Sequence, residues 1–314
     1  TWDWRVNRFA QRSPSSDRIR LILLDQYSLD WGSESYGLPW PWPRELYKPL
    51  LDFCARGGAR VVAFDVLFTE PSYRGVDDDA RLAEGILAVP EFVGTAFFSR
   101  RPDAPAALWP DDTPALRRPR IQLDPALSNR LDTLRFTHAT WPIPEVLTNA
   151  TALANVAAQP DADGLYRRIA PLVPFGDHWI PSLGLAVYLA GFGDTPPLLE
   201  WTPEGLRKEG RLLLPLDSRG QAILHFRGPS QTHRTYNAAA VIQSEINCQA
   251  GQQPAIDPET FRDTYVLFGF SAPGLLDLCS APVDAVYPGV EIHATLLDNL
   301  LERDGLRDVS RPTT

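Results

Sequence analysis

The sequence predicts one large α/β domain, in which a mostly parallel, doubly wound sheet is flanked by helices and β-hairpins are added in the second half. In the first third, short apolar runs alternate with segments of helical period, in the order strand, helix, strand, helix, strand. This order gives right-handed crossovers and a parallel sheet covered on both faces. In the middle third, apolar runs flank turn residues, which is typical of hairpins. The 314 residues, 44% of them hydrophobic, can bury a large core.

The elements of the first third follow from local chemistry. The run at 18–25 is almost continuously apolar and ends in an acid, as expected of a strand buried on both faces. Pro43 suits the first turn of a helix, and Gly57 suits its end. Three consecutive acids at 77–79 suit a helix N-terminus. The predictions are strands at 18–25, 60–68 and 91–98, a loop at 39–44, and helices at 43–56 and 77–89.

The rest of the chain gives a mixed pattern. The segment at 99–120 is rich in proline and charge, so we expect a surface excursion there. Turn residues at 161–164 and 217–220 predict a hairpin around each turn. The predictions are hairpins at 155–175 and 211–229, helices at 181–192, 237–246 and 289–301, and a strand at 264–270.

Composition limits the classes of function. The net charge of −9 and the pI near 5.1 argue against nucleic acid as a partner, because duplex binding needs a concentrated basic face. No run reaches the ~18 apolar residues that a membrane span needs. The absence of Met indicates a fragment or a processed product. Trp2 and Trp4 before Arg5 indicate a juxtamembrane segment, and an ordinary frayed helix is the alternative.

The three cysteines are not diagnostic by number. Cys54 falls on the apolar face of a predicted helix, so we expect a buried thiol. Cys248 and Cys279 could form a disulfide in an oxidising compartment, which spacing alone does not decide.

Three acids are predicted at or near the ends of strands: Asp25, Asp65 and Asp277. In an open α/β sheet, ligands bind beyond the carboxyl ends of the strands. Carboxylates brought together there would favour a divalent cation or a cationic ligand. The alternative, which we favour, is that each acid caps a helix or holds a loop amide. No metal ligand set is predicted, and no cofactor beyond this possible cation.

Trp42 and Arg44, next to Trp40, form an aromatic and basic cluster at a helix start. The cluster could stack on a planar ligand or bind a carboxylate. Packing of the tryptophans against the sheet edge is the simpler interpretation.

The run 269–273 superficially resembles a hydrolase nucleophile elbow around Ser271, with His293 and Asp298 as imaginable partners. A proline replaces the second glycine, and a loop follows where the elbow needs a helix. We therefore predict no catalytic residue, and expect Ser271 to permit a sharp turn whose amides could bind a loop or an anion.

Many short motifs, each weak alone, occur in an order that resembles the type-two CHASE family of extracellular sensing domains from about residue 17 to residue 302. Their positions are Asp25 with Ser28, 42–44, 58–59, 64–65, Asp79 with Leu82, 155–156, 163–168, 181–186, 225–229, 269–277, 281–282 and 288–294. The departures are His225-Phe226 for Asn-Tyr, Ala281 for Thr, and the proline-rich insertion at 99–120. These departures bear on which ligand is bound.

The resemblance implies an extracytoplasmic, periplasmic signal-sensing domain of a bacterial transmembrane receptor. It implies a cytoplasmic output such as a nucleotide cyclase, a histidine kinase or a diguanylate cyclase, a homodimer, and an unknown small-molecule or protein signal. The expected division is a juxtamembrane stub at 1–16, the sensor at 17–302 and a linker at 303–314. The alternatives are a secreted α/β hydrolase-like enzyme and a protein-interaction scaffold.

Overall fold

The computed structural model describes residues 2–100, 108–110, 113, 116–127 and 134–307. The helices are α1 (Trp2–Phe9), α2 (Gln26–Tyr36), α3 (Tyr47–Arg56), α4 (Val76–Ala88), α5 (Pro144–Asn149), α6 (Leu183–Ala190), α7 (Ala238–Gln249) and α8 (Gly289–Glu302). The strands are β1 (Ile19–Leu24), β2 (Val61–Phe64), β3 (Phe92–Ser99), β4 (Arg120–Leu123), β5 (His138–Thr140), β6 (Ala152–Asn155), β7 (Arg168–Ile169), β8 (Leu172–Phe175), β9 (His178–Pro181), β10 (Leu198–Thr202), β11 (Gly205–Lys208), β12 (Arg211–Pro215), β13 (Ala222–Ile223), β14 (Arg234–Asn237), β15 (Tyr265–Phe270), β16 (Leu278–Ala281) and β17 (Asp284–Pro288).

A mainly parallel sheet forms the centre of the fold. Its parallel strands run in the order β14, β1, β15, β2, β3 and β6, and β5 pairs antiparallel with the second half of β3. Smaller sheets are formed by β12, β11, β10 and β4, by β8 with β9, by β7 with β13, and by β16 with β17. The predicted fold class, a doubly wound α/β sheet with added hairpins, is confirmed.

The sheet is covered on both faces, because successive side chains of a strand point to opposite sides. Ile22 and Phe268 lie in one core with side chains of α3, α4 and α7. Leu21 and Leu267 lie in the other core with side chains of α6 and α8. Cys54 is fully buried in the first core, as predicted.

Both hairpin predictions are wrong in their pairing. The turns themselves form, since the Gly164 amide donates to Asp161 O and the Gly220 amide donates to Asp217 O. However, β6 joins the central parallel sheet, β7 pairs with β13, β8 pairs with β9, and β12 pairs with β11. A turn fixes a reversal of the chain but does not select the partner strand. All four residues of β6 are buried, as expected of a parallel strand that is covered on both faces.

The sequence analysis placed no helix at α2, whose composition is polar. Asp25 caps this helix, and Gly37 ends it in a left-handed conformation. Much of the predicted excursion at 99–120 lies outside the described residues, as does most of the predicted linker at 303–314. Trp109 and Leu116, which are described, pack against the core.

The N-terminal helix α1 lies on the surface with no buried residue. It is held by the ion pair of Asp3 with Arg167, whose Oδ1 and Nε atoms are 2.7 Å apart. All three cysteines are free thiols. Within the described ranges, no helix has the combination of length and apolar character that is needed to cross a bilayer.

Candidate ligand-binding cavity

A cavity of about 640 Å³ opens beyond the carboxyl ends of the central strands. Its walls come from the loops that follow β2, β6 and β15, from the segment before α3, and from the first turns of α8. The volume lies within the usual range for small-molecule sites. The lining includes seven aromatic side chains: Trp40, Trp42, Tyr47, Phe68, Phe97, Tyr166 and Phe270.

Two carboxylates face this cavity. Asp65 directly follows β2, and its amide donates to Phe268 O at 2.8 Å. Asp277 follows β15 after a short turn, and its carbonyl oxygen accepts from the Gly289 amide at 2.9 Å. Neither carboxylate accepts a hydrogen bond from any side chain of the described residues. The two acids are therefore close to each other and have no cationic side chain paired with them.

Their surroundings disfavour the charged form. Burial raises the pKa of Asp65 well above its usual value, and the nearby charge of Asp277 adds to this. Burial raises the pKa of Asp277 to about 6, although the Phe270 backbone amide partly offsets it. The N-terminus of α8 also favours a negative charge here. A ligand cation would offset both the cost of burying these carboxylates in charged form and the repulsion between them.

Close contact of α8 with Asp277 depends on Gly289. A Cβ atom at this position would lie 2.7 Å from Asp277 Oδ1. Gly269, on β15, allows a second close contact, since a Cβ there would lie 2.6 Å from Val290 Cβ. These two glycines let the start of α8 lie directly on the end of the sheet and beside the acid.

His293, on the next turn of α8, also lines the cavity. Its side chain is 2% exposed, and its Nδ1 atom has no hydrogen-bond partner among the described residues. Burial lowers the pKa of His293 to about 4, partly offset by a hydrogen bond to the backbone of Val156. The imidazole is therefore neutral at neutral pH and retains an unused polar atom.

The structure places the six predicted site residues in different settings. Asp65, Asp277, Trp42 and Arg44 line the cavity, whereas Asp25 and Ser271 do not. Asp25 Oδ1 accepts from the Ser28 amide at 2.8 Å, which is the capping role left open by the sequence.

Trp42 and Arg44 already make contacts within the protein, which limits how they could bind a ligand. Trp42 is 4% exposed and its indole edge lies against Gly32, where a Cβ would be 2.7 Å from Nε1. The Arg44 guanidinium binds the Asp79 carboxylate and lies over the Phe68 ring at 5.2 Å. The binding roles of all six residues stay predictions.

The geometry around Ser271 differs from that of a nucleophile elbow. The Ser271 amide donates to Leu24 O at 3.1 Å, and a 3₁₀ turn at Pro273–Leu275 follows instead of an α-helix. Asp298 accepts from His233, with 3.1 Å between Oδ2 and Nε2, and among the described residues no hydrogen bond joins Asp298 to His293.

Sequence reasoning missed part of the cavity wall. Phe270 is the last residue of a predicted strand, so its position at the carboxyl end was a usable signal. Phe97 and Tyr166 carry no comparable signal, because only the folded loops bring them to the cavity. Across the described ranges, no group of three or more His, Cys, Asp or Glu side chains could hold a metal ion.

A second polar centre lies further along α8, around Asp298. Its Oδ1 accepts from Ser13 Oγ at 2.7 Å and from Arg227 Nε at 2.7 Å, and its Oδ2 accepts from Ser16 Oγ at 2.6 Å. Burial raises the pKa of Asp298, but the hydrogen bonds from His233 and Ser16 and the Arg227 charge outweigh it and hold the pKa far below its usual value. Arg227 also forms two hydrogen bonds of 2.8 Å to Asp304. One helix thus reaches from the cavity to a network that joins both ends of the domain.

The family model of the CHASE2 domain matches residues 1–313, which is essentially the whole chain. The chain therefore belongs to the CHASE2 domain family, as the ordered motifs predicted. CHASE2 domains are extracellular sensory domains of signalling receptors and are not catalytic. Neither the curated proteins nor the solved structures gave a match to this chain.

Proposed function

We propose that this chain is the periplasmic signal-sensing domain of a bacterial transmembrane receptor, and that its signal binds in the strand-end cavity. Membership of the CHASE2 family supports the sensory role. The observation that carries the proposal is the position of α8, whose first turns line the cavity while its second half binds the segments at both ends of the domain. The regulated output would be a cytoplasmic nucleotide cyclase, histidine kinase or diguanylate cyclase, working as a homodimer.

The mechanism is a shift between two positions of α8. Gly289, Ile292 and His293 line the cavity, so a ligand contacts the N-terminal half of the helix directly. Packed helices move as units, by about 1–2 Å in many switches. A displaced α8 would move Asp298, and with it the bound Ser13 and Ser16 hydroxyls. The shift in population cannot exceed the difference in affinity of the ligand for the two positions.

The first test is a thermal-shift screen of the domain against small metabolites and ions. A ligand that binds only the folded state at 100 times its Kd stabilises it by about 2.7 kcal/mol. Ala158 lines the cavity and is half-buried, so Ala158→Trp should fill the space without entering the core. We expect compounds that raise the melting temperature of the wild type and not of Ala158→Trp.

Hydrogen exchange then tests the relay. A bound hit should change the exchange of amides at 13–18 and 298–304, far from the cavity. Turnover of an ester substrate that Ser271→Ala abolishes would instead support the hydrolase-like alternative. Stabilisation that is equal in the wild type and Ala158→Trp, without any change at residues 13–18, would contradict the cavity as the sensing site.

A further inference from the structure

We propose that the cavity recognises a protonated amine carried on an apolar or aromatic body. The proposal rests on the function proposed above and specifies its ligand class. Three properties of the cavity support it: two acids that have no cationic partner among the described residues, aromatic walls, and a buried, neutral histidine in the lining.

The two acids of the cavity lack a counter-charge. Among the described residues, no cationic side chain is paired with Asp65 or Asp277, and the lining Arg44 is already bound to Asp79 and to the carbonyl oxygen of Glu70. An ammonium group supplies three donors and one positive charge, which satisfies two carboxylates at once. An anionic ligand would add to the repulsion between the acids.

The walls fit the rest of such a ligand. Trp40 is 39% exposed and meets the Phe270 ring edge to face, with 5.4 Å between the centroids. Exposed aromatic faces beside carboxylates attract organic cations through their ring quadrupoles and bind apolar groups by burial. The buried His293 adds a neutral imidazole whose Nδ1 atom has no protein partner.

Size and ligand count disfavour a simple metal ion. The cavity of about 640 Å³ exceeds by roughly twentyfold the ~30 Å³ that one water molecule occupies in the liquid. A calcium or magnesium ion needs about six oxygen ligands. Among the described side chains, no three acids, histidines or cysteines converge on one point.

The experiment is isothermal titration of the domain at pH 7.5 with three matched probes: 2-phenylethylamine, 2-phenylethanol and phenylacetate. We expect measurable binding of the amine, and affinity at least about tenfold weaker for the neutral alcohol and the anion, which lack the charge-assisted bond. Asp65→Asn and Asp277→Asn should each weaken amine binding about tenfold or more. Asp177→Asn, an exposed acid outside the cavity, should bind the amine as the wild type does.

The controls separate binding from folding. Each Asn variant replaces a buried acid that has no side-chain partner among the described residues, so it should melt at or above the wild-type temperature, and lost binding would not reflect unfolding. Trp40→Ala should lower the affinity for the amine by about threefold to tenfold, because the cation–π contact is lost.

Equal binding of the three probes, or amine binding that survives the double Asp65→Asn, Asp277→Asn change, would overturn the proposal. So would calcium or magnesium binding that Asp65→Asn abolishes, since this would make the acids a metal site. In either case, a compound of another class that stabilises the wild type but not Ala158→Trp would leave the sensory function intact.

Discussion

At the residue scale, the domain contains two kinds of buried carboxylate. Asp298 accepts hydrogen bonds from several side chains and stabilises the fold, whereas Asp65 and Asp277 accept none from any described side chain, and burial disfavours their charged forms. Buried acids without partners are concentrated at functional sites, because a ligand can supply what the protein does not. The two kinds respond to pH with opposite sign.

Asp277→Asn is expected to stabilise the domain at pH 7.5 by roughly 1–2 kcal/mol. The folded pKa of Asp277, about 6, lies above the unfolded value near 3.9. The native state therefore keeps a proton that the unfolded chain has lost, and this contribution falls as the pH rises from about 4 to 6. Urea unfolding at pH 5 and pH 7.5 should show that the advantage of the variant grows with pH.

Other ionisable groups lie around Asp277, so only the difference between the two proteins is diagnostic. Those groups are Arg44, Asp65, Tyr166, Cys279 and His293. Asp177→Asn serves as the control, with no change expected. A variant less stable than the wild type at pH 7.5 would contradict the absence of a partner for Asp277.

Asp298→Asn is expected to destabilise the domain by about 3–5 kcal/mol, because it removes the buried charge that binds Arg227 and His233 and leaves Arg227 with only the partly exposed Asp304. The pKa of Asp298 is depressed on folding, so its stabilisation is present above about pH 4 and is lost as the pH falls further. In denaturant unfolding between pH 2.5 and pH 7, the free energy of unfolding should fall less steeply with decreasing pH for the variant than for the wild type. Asp263→Asn, in an exposed pair with Arg60, should cost less than about 1 kcal/mol. Equal losses for both variants would contradict the special role of Asp298.

At the element scale, α8 is the helix on which the proposed relay depends. It packs against α6 across Gly184, where a Cβ atom would lie 2.5 Å from the His293 carbonyl oxygen. The backbones of the two helices are therefore in direct contact at the residue that lines the cavity. Displacement of either helix must involve the other.

Gly184→Ala is expected to separate the helices and to cost about 1–3 kcal/mol by overpacking. Gly274→Ala is the matched control, because a Cβ there meets no atom within 4 Å. Both variants can be compared by chemical denaturation, and ligand hits should bind Gly184→Ala more weakly. A cost no greater than that of the control would show that the α6–α8 contact can adjust.

Local pattern predicted the elements better than their pairing. The apolar run of β1 and the acids at the start of α4 favour a strand and a helix through local sequence alone. Both elements could therefore be predicted. The partners of β7 and β13 are set by contacts between distant segments, which turn chemistry does not encode. The site shows the same division: Asp65 and Asp277 follow from strand ends, but Tyr166 enters the cavity only through the folded loops.

At the scale of the whole molecule, family membership was accessible from ordered motifs, while the ligand chemistry required the assembled cavity. The N-terminal segment consists of two parts that contribute differently to stability. No residue of α1 is fully buried, and Asp3 and Val6 are partly buried, whereas Ser13 and Ser16 bind the buried Asp298.

Deletion of residues 2–9 is expected to cost about 1–2 kcal/mol, since it removes the ion pair of Asp3 with Arg167, the hydrogen bond from Asn7 to Pro282 O and the packing of Val6 against the core. Deletion of residues 2–17 also removes both serine hydroxyls from Asp298, and each hydrogen bond to a charged group contributes roughly 1.5–3 kcal/mol. Melting temperatures of the two shortened proteins would measure the difference. Equal melting temperatures would contradict the importance of the serines.

The sharing of Asp298 by distant parts of the chain has a mechanical consequence. Ser13 and Ser16 precede the first strand, and Arg227 joins the same carboxylate to Asp304, beyond the last helix. A pulling force applied across residues 2 and 307 would load these few hydrogen bonds before it reached the sheet. In optical tweezers, the ends should come apart first at low force and leave the parallel strands folded as an intermediate.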